Sequence, residues 1–195
     1  MHFPLDVRFK VLALASEISV RDSTGALIYY ARQKAFKLKE AVTVFADEQQ
    51  TRPLFKVEAD RILDVSARYR IQDAGGGEVG ALQRHGMASI WRTHYDLEIG
   101  GRVAYTIREE NPWTKVLDFL LGSIPIVGIF SGYFVHPAYV VAAVPDGFPL
   151  LRAVKKPAFL EGKFEIQRME NPDDRQMDAA LVSVVMMLML DRARG

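Results

Sequence analysis

The run from Ala179 to Leu190 reads Ala-Ala-Leu-Val-Ser-Val-Val-Met-Met-Leu-Met-Leu, apolar at every position except Ser183. A helix with no polar face has to be buried. At about 1.5 Å per residue these 12 residues reach only ~18 Å, well short of the ~30 Å hydrocarbon layer of a bilayer. The run is therefore expected to be a core helix, over about 177–192, rather than a membrane span. Asp178 at its start and Asp191-Arg192-Ala193-Arg194 at its end supply charges that mark the two helix termini.

The first two-thirds of the chain gives short β-type runs separated by turn chemistry. Glu17-Ile18-Ser19-Val20-Arg21 alternates, Asp22-Ser23-Thr24-Gly25 turns, and Ala26-Leu27-Ile28-Tyr29-Tyr30 returns. Val42-Thr43-Val44-Phe45 pairs across the polar stretch 46–50 with Leu54-Phe55-Lys56-Val57. Tyr69-Arg70-Ile71 then leads through Asp73-Ala74-Gly75-Gly76 to Val79-Gly80-Ala81-Leu82, and Tyr95-Asp96-Leu97 leads through Gly100-Gly101 to Val103-Ala104-Tyr105-Thr106-Ile107, a weak repeat of hairpins. An isolated hairpin exposes an apolar face and two unpaired edges, so hairpins in series favour a closed or nearly closed barrel.

Composition narrows the function. With 25 Lys and Arg against 24 Asp and Glu, the formal net charge is +1, which gives no whole-molecule field for nucleic acid. An anionic partner has to be met by a local patch. Cysteine is absent, which excludes a disulfide framework, a thiol nucleophile, a Cys-ligated zinc site and palmitoyl anchoring. The segment Met1 to Arg8 lacks the pattern of a secretory signal, and Asn111 and Asn171 each precede proline, so neither opens a glycosylation sequon. A cytoplasmic location is expected.

Hairpins followed by one wholly apolar helix, together with Ile18 to Gly25, Lys34-Ala35-Phe36-Lys37-Leu38, Tyr69-Arg70-Ile71-Gln72-Asp73 and Asp178 through Asp191, resemble the tubby C-terminal-like superfamily, in its LURP-one-related and phospholipid scramblase-like branches. The resemblance covers the chain from about Glu17 onward and rests on the order of weak motifs. It implies a mostly β fold: one domain over 1–195, a closed antiparallel barrel of about a dozen strands around the buried C-terminal helix, with a hydrophobic insertion between strands at about 112–135. It also implies membrane biology, since tubby-like relatives bind phosphoinositides and scramblase-like ones act at membranes. No lipid-contacting residue transfers by a matching local motif.

Enzyme signatures fail on inspection. Gly75-Gly76-Gly77-Glu78-Val79-Gly80 matches G-x-G-x-x-G, but a dinucleotide site needs that loop to open a helix, and here it opens a strand. His2, His85, His94 and His136 have no metal-ligand spacing, and His94 is expected to face outward from its strand. Ser89, Ser123, Ser131 and Ser183 lie in no nucleophile elbow. Glu170-Asn171-Pro172-Asp173-Asp174 lacks the ligand spacing and central glycine of a calcium loop and reads as a solvated loop before the helix. No catalytic residue, metal or cofactor is expected.

The feature left over is Val116 to Val135, 20 residues with one charge, Asp118. By length and hydropathy it could span a bilayer, with Trp113-Thr114-Lys115 at the interface. Pro125 and Gly122, Gly128 and Gly132 oppose a regular helix, and a span would put two halves of one barrel on opposite sides of a membrane. Three readings stay open: an insertion covering a barrel end, a shallow membrane-inserting loop, and a true span. Arg152, Lys155 and Lys156 precede Pro157-Ala158-Phe159 as a local basic cluster. Trp113, Lys115, Ile126, Ile129, Arg152, Lys155 and Lys156 are thus the candidate lipid-binding residues. The expected role is a non-enzymatic phospholipid-binding module, peripheral at the inner membrane surface and facing anionic phospholipid. The competing expectation is a soluble interaction scaffold that meets a protein partner through 116–135. Nucleic acid is not an expected partner.

Overall fold

Alternation of apolar and polar residues builds the wall. In the first strand, β1 (Leu5–Leu12), Leu5, Val7 and Phe9 are buried while Asp6, Arg8 and Lys10 point away. Eleven further strands follow: β2 (Ala15–Arg21), β3 (Leu27–Lys34), β4 (Val42–Phe45), β5 (Pro53–Arg61), β6 (Arg68–Asp73), β7 (Glu78–Arg84), β8 (His94–Ile99), β9 (Arg102–Glu109), β10 (Ala138–Ala143), β11 (Pro149–Lys156) and β12 (Gly162–Arg168). The computed structural model describes residues 1–12, 15–34, 41–61, 67–85, 94–110, 138–157 and 162–192. The insertion expected at about 112–135 lies outside them.

Each strand pairs antiparallel with its neighbour in sequence, and β1 closes the ring on β12 from Leu5↔Ile166 to Phe9↔Gly162. Closure removes both sheet edges. A barrel of about eight strands can be filled by wall side chains, but a wider one leaves space, and here the helix α1 (Asp174–Arg192) fills it. All residues from Ala179 to Leu190 are at most 6% exposed, Ser183 included. The expected barrel around an apolar helix is the observed fold.

The helix begins earlier than its apolar run. Asp173 caps it, its Oδ1 accepting from Gln176 N at 2.9 Å and its carbonyl from Met177 N at 3.0 Å, which satisfies amides that have no helical partner. Asp178 therefore does not mark the start. It lies one turn inside, where Tyr29 donates its hydroxyl to Oδ1 at 2.6 Å, and burial raises its carboxyl above the ordinary range. Tyr105 reaches Gln176 Oε1 at 2.7 Å and Tyr95 reaches Asp191 Oδ1 at 3.4 Å. Wall tyrosines thus meet the few polar groups at the two ends of an otherwise apolar helix.

An up-and-down meander puts alternate connections at opposite ends. One end, the turn end, holds the short hairpins and the helix N-terminus. Asp22 accepts from the amides of Thr24 and Ala26 at 3.0 and 3.2 Å, Asp47 from Thr51 and Arg52 at 3.0 and 2.8 Å, and Asp73 from Gly75 and Gly77 at 2.9 and 2.8 Å. Gly76, at φ +82°, supplies the left-handed residue its turn requires. The glycine-rich stretch therefore closes a hairpin into β7, as its sequence implied. The other end, the loop end, is where the chain passes through 13–14, 35–40, 62–66, 86–93, 111–137 and 158–161.

Candidate functional site

The long connection leaves and re-enters the barrel at one point of the loop end. Glu110 N donates to Ala138 O at 2.7 Å, pinning the end of β9 to the start of β10. Trp113, Lys115, Ile126 and Ile129 lie within this connection, outside the described residues. Ala138 is opposite Val154 on β11, so Lys155 and Lys156 stand next to the pin, with Arg152 two residues before Val154 and opposite Val140.

The three cations differ in how free they are. Arg152 donates through Nε and Nη2 to Glu110 Oε2 at 3.0 and 2.7 Å. Lys156 Nζ lies 3.2 Å from Glu165 Oε1. A hydrogen bond from Gln167, with help from Lys156 and Lys163, holds the Glu165 carboxyl below its ordinary range. Lys163 itself is 3.6 Å from Asp6. Lys155 is exposed and forms no ion pair with another described residue; its cross-strand neighbour is Phe164, whose ring packs on Phe9 at 6.1 Å and Tyr139 at 6.3 Å. The basic cluster of the sequence is therefore mostly neutralised, by Glu110 just past the end of β9 and by Glu165 on the adjoining β12.

A second group of polar side chains lies at the same end. On β8, Tyr95 and Leu97 are wholly buried, so His94 and Asp96 share the outer face, as the alternation implied for His94. Arg84 is opposite Tyr95, and His85 N donates to His94 O at 3.1 Å, which sets the two imidazoles side by side with centroids 4.4 Å apart and planes 23° from parallel. His85 Nε2 is 2.5 Å from Asp96 Oδ2, and His94 Nε2 is 3.7 Å from Oδ1. His94 Nε2 is buried without a hydrogen-bond partner among the described residues. Burial first, then His85 and the Arg108 cation, lower the pKa of His94 against the opposing pull of Asp96. Linear spacing gave no sign of this group, because two of its members meet only through strand register.

The large apolar side chains exposed among the described residues lie elsewhere. Besides Met1 at the N-terminus, Val103, Val144, Phe148 and Met169 are 39%, 42%, 63% and 51% exposed, these four at the turn end on the tips of β9 to β12. Of the described helices, none is long and apolar enough to cross a membrane.

No curated protein matches the chain. A crystal structure of an Arabidopsis thaliana protein matches with a TM-score of 0.51 at 15% identity, over 93% of this chain and 89% of that one, which supports the shared fold. The family profile described as LURP-one-related matches residues 27–189, from β3 nearly to the end of the helix. The chain is a member of the LURP-one-related family.

Proposed function

We propose that this protein is a non-enzymatic phospholipid-binding module that associates with the inner membrane surface through the loop end of its barrel. The observation that carries the reading is the place of the 111–137 connection: its apolar sequence leaves the barrel at the Glu110–Ala138 pin, beside Lys155. The C-terminal helix cannot serve, because its apolar residues are enclosed. Each cation near an anionic surface contributes about 1 kcal/mol. With Arg152 and Lys156 already paired, apolar insertion has to supply most of the affinity, and the salt dependence should be shallow. A second reading, a scaffold that binds another protein, is favoured by exposed Val103, Val144, Phe148 and Met169 at the opposite end.

Flotation with neutral and anionic liposomes separates the two. Wild type is expected to float, most strongly with anionic vesicles. Ile126→Asp with Ile129→Asp should abolish flotation, Lys155→Glu with Lys156→Glu should reduce it on anionic vesicles, and Phe148→Ser should leave it unchanged. Folded wild type that ignores both vesicle types overturns the lipid reading. Flotation lost only in Phe148→Ser moves the contact to the turn end.

A further inference from the structure

We propose that His85, His94 and Asp96 form a binding site for a divalent first-row transition metal, of which zinc is the probe, on the outer face of β7 and β8. The inference stands apart from the lipid reading and needs none of its residues.

The geometry is that of a cross-strand pair completed by a neighbour on the same face. His85 and His94 are joined by the backbone bond at 3.1 Å, and Asp96 follows His94 by two residues, so all three side chains rise from one side of a two-stranded ladder. One ligand atom from each lies within 4.8 Å of the others. A tetrahedral ion with bonds of about 2.0–2.2 Å holds its ligands ~3.3 Å apart, between the shortest and longest separations found here. Rotation of the His85 ring, 43% exposed, is the adjustment that closes the difference.

Two imidazoles and one carboxylate select borderline metals over magnesium or calcium, which prefer all-oxygen shells. Three protein ligands leave a coordination position for water or a partner's side chain. The Nε2 of His94 is the observation that points to a ligand rather than to a structural ion pair: the atom is buried, faces Asp96 and has no hydrogen-bond partner among the described residues. Metal binding would satisfy it and replace the His85–Asp96 contact. Gln83 and Thr106 flank Asp96 across the ladder on either side, where a ligating carboxylate draws its supporting hydrogen bonds. The opposing charge is Arg108, opposite His94 on β9, and it is exposed.

The test is calorimetric titration of the untagged protein with zinc. One equivalent is expected to bind, with affinity lowered about 100-fold in His85→Ala, in His94→Ala and in Asp96→Asn. His2→Ala should bind as wild type does, and Arg108→Gln should bind more tightly. Cobalt(II) added to wild type should give visible d–d bands of an imidazole-ligated ion, a readout that does not depend on any variant folding. Absence of both a zinc equivalent and a cobalt spectrum in folded wild type overturns the proposal, as does zinc binding that survives the loss of both histidines.

Discussion

At the turn end of the barrel, three hairpins each close over an aspartate that gathers two amide protons of its own turn, Asp22 taking a third from His2, and a fourth aspartate caps the helix. At the loop end the described polar groups are spent differently: on cross-strand ion pairs and on two stacked imidazoles beside one carboxylate. Adaptable chemistry therefore resides at the loop end. Short turns that satisfy their own backbone leave no polar group for a ligand. The opposite end carries the one long apolar connection and an orphaned imidazole nitrogen, as expected of loops held on a rigid scaffold.

This comparison presupposes one core that ties both ends together, and Val185→Asp breaks that tie. Val185 is 3% exposed at the middle of the helix. An unpaired carboxylate there should cost more than about 4 kcal/mol, or emerge as failure to fold. Thermal melting read separately by tyrosine fluorescence and far-ultraviolet dichroism would show both ends lost together. Soluble protein with an unchanged melting temperature would mean that the helix is not what the wall encloses.

Gly80→Ala loads the turn end without touching the core helix. A Cβ at Gly80 would sit 2.7 Å from the Glu98 carbonyl oxygen and 3.3 Å from Leu97 Cδ1, so β7 and β8 have to move apart. A glycine replaced in an unobstructed strand gains up to about 1 kcal/mol from the unfolded chain; here a loss of about 1–3 kcal/mol is expected instead. Denaturant unfolding supplies the sign, and a gain would show that the two strands are not in close contact.

The turn end should also carry an acid signature. The Thr24 hydroxyl, with the amides of His2, Thr24 and Ala26, lowers Asp22 to about 2 from an ordinary 3.8. A lowered carboxylate contributes stability that is present above its unfolded value and is lost as pH falls through the folded one. Wild type should thus melt higher than Asp22→Asn at neutral pH, the gap closing between about pH 4 and about pH 2. A gap independent of pH would assign the effect to hydrogen bonding alone.

The sequence disclosed these two ends unequally. Strands with period-two alternation between turn residues, such as Glu17 to Arg21 and Val103 to Ile107, could be read directly, and so could the helix, because an all-apolar run has one solution. The strand β1 carries the same alternation in Leu-Asp-Val-Arg-Phe-Lys, although the family resemblance begins only at about Glu17. The strand β10, Ala-Tyr-Val-Val-Ala-Ala, has no polar alternation to find. The first turn of the helix escaped because Asp173 to Gln176 is polar, and capping rather than hydropathy sets that boundary. At the candidate sites, the sequence supplied the cations but not their partners. Glu110, just past β9, and Glu165, on β12, neutralise Arg152 and Lys156, and His85 reaches Asp96 through register, which no linear spacing encodes.

The smallest expected effect tests whether that pairing matters at the loop end. Glu165→Gln removes the carboxylate that holds Lys156 at 3.2 Å while keeping an acceptor of the same size. Both side chains are about one-third exposed, 37% and 30%, so the pair itself contributes no more than about 1 kcal/mol to folding. The released ammonium joins Lys155 beside the pin between β9 and β10. If this end faces the bilayer, one added free cation contributes about 1 kcal/mol, or roughly fivefold in partition onto anionic vesicles. Neutral vesicles should show no gain, and high salt should erase it. A gain on neutral vesicles would trace the change to apolar exposure instead. No gain at low salt, with wild type still floating, would place β11 away from the surface and leave the 111–137 connection as the sole contact.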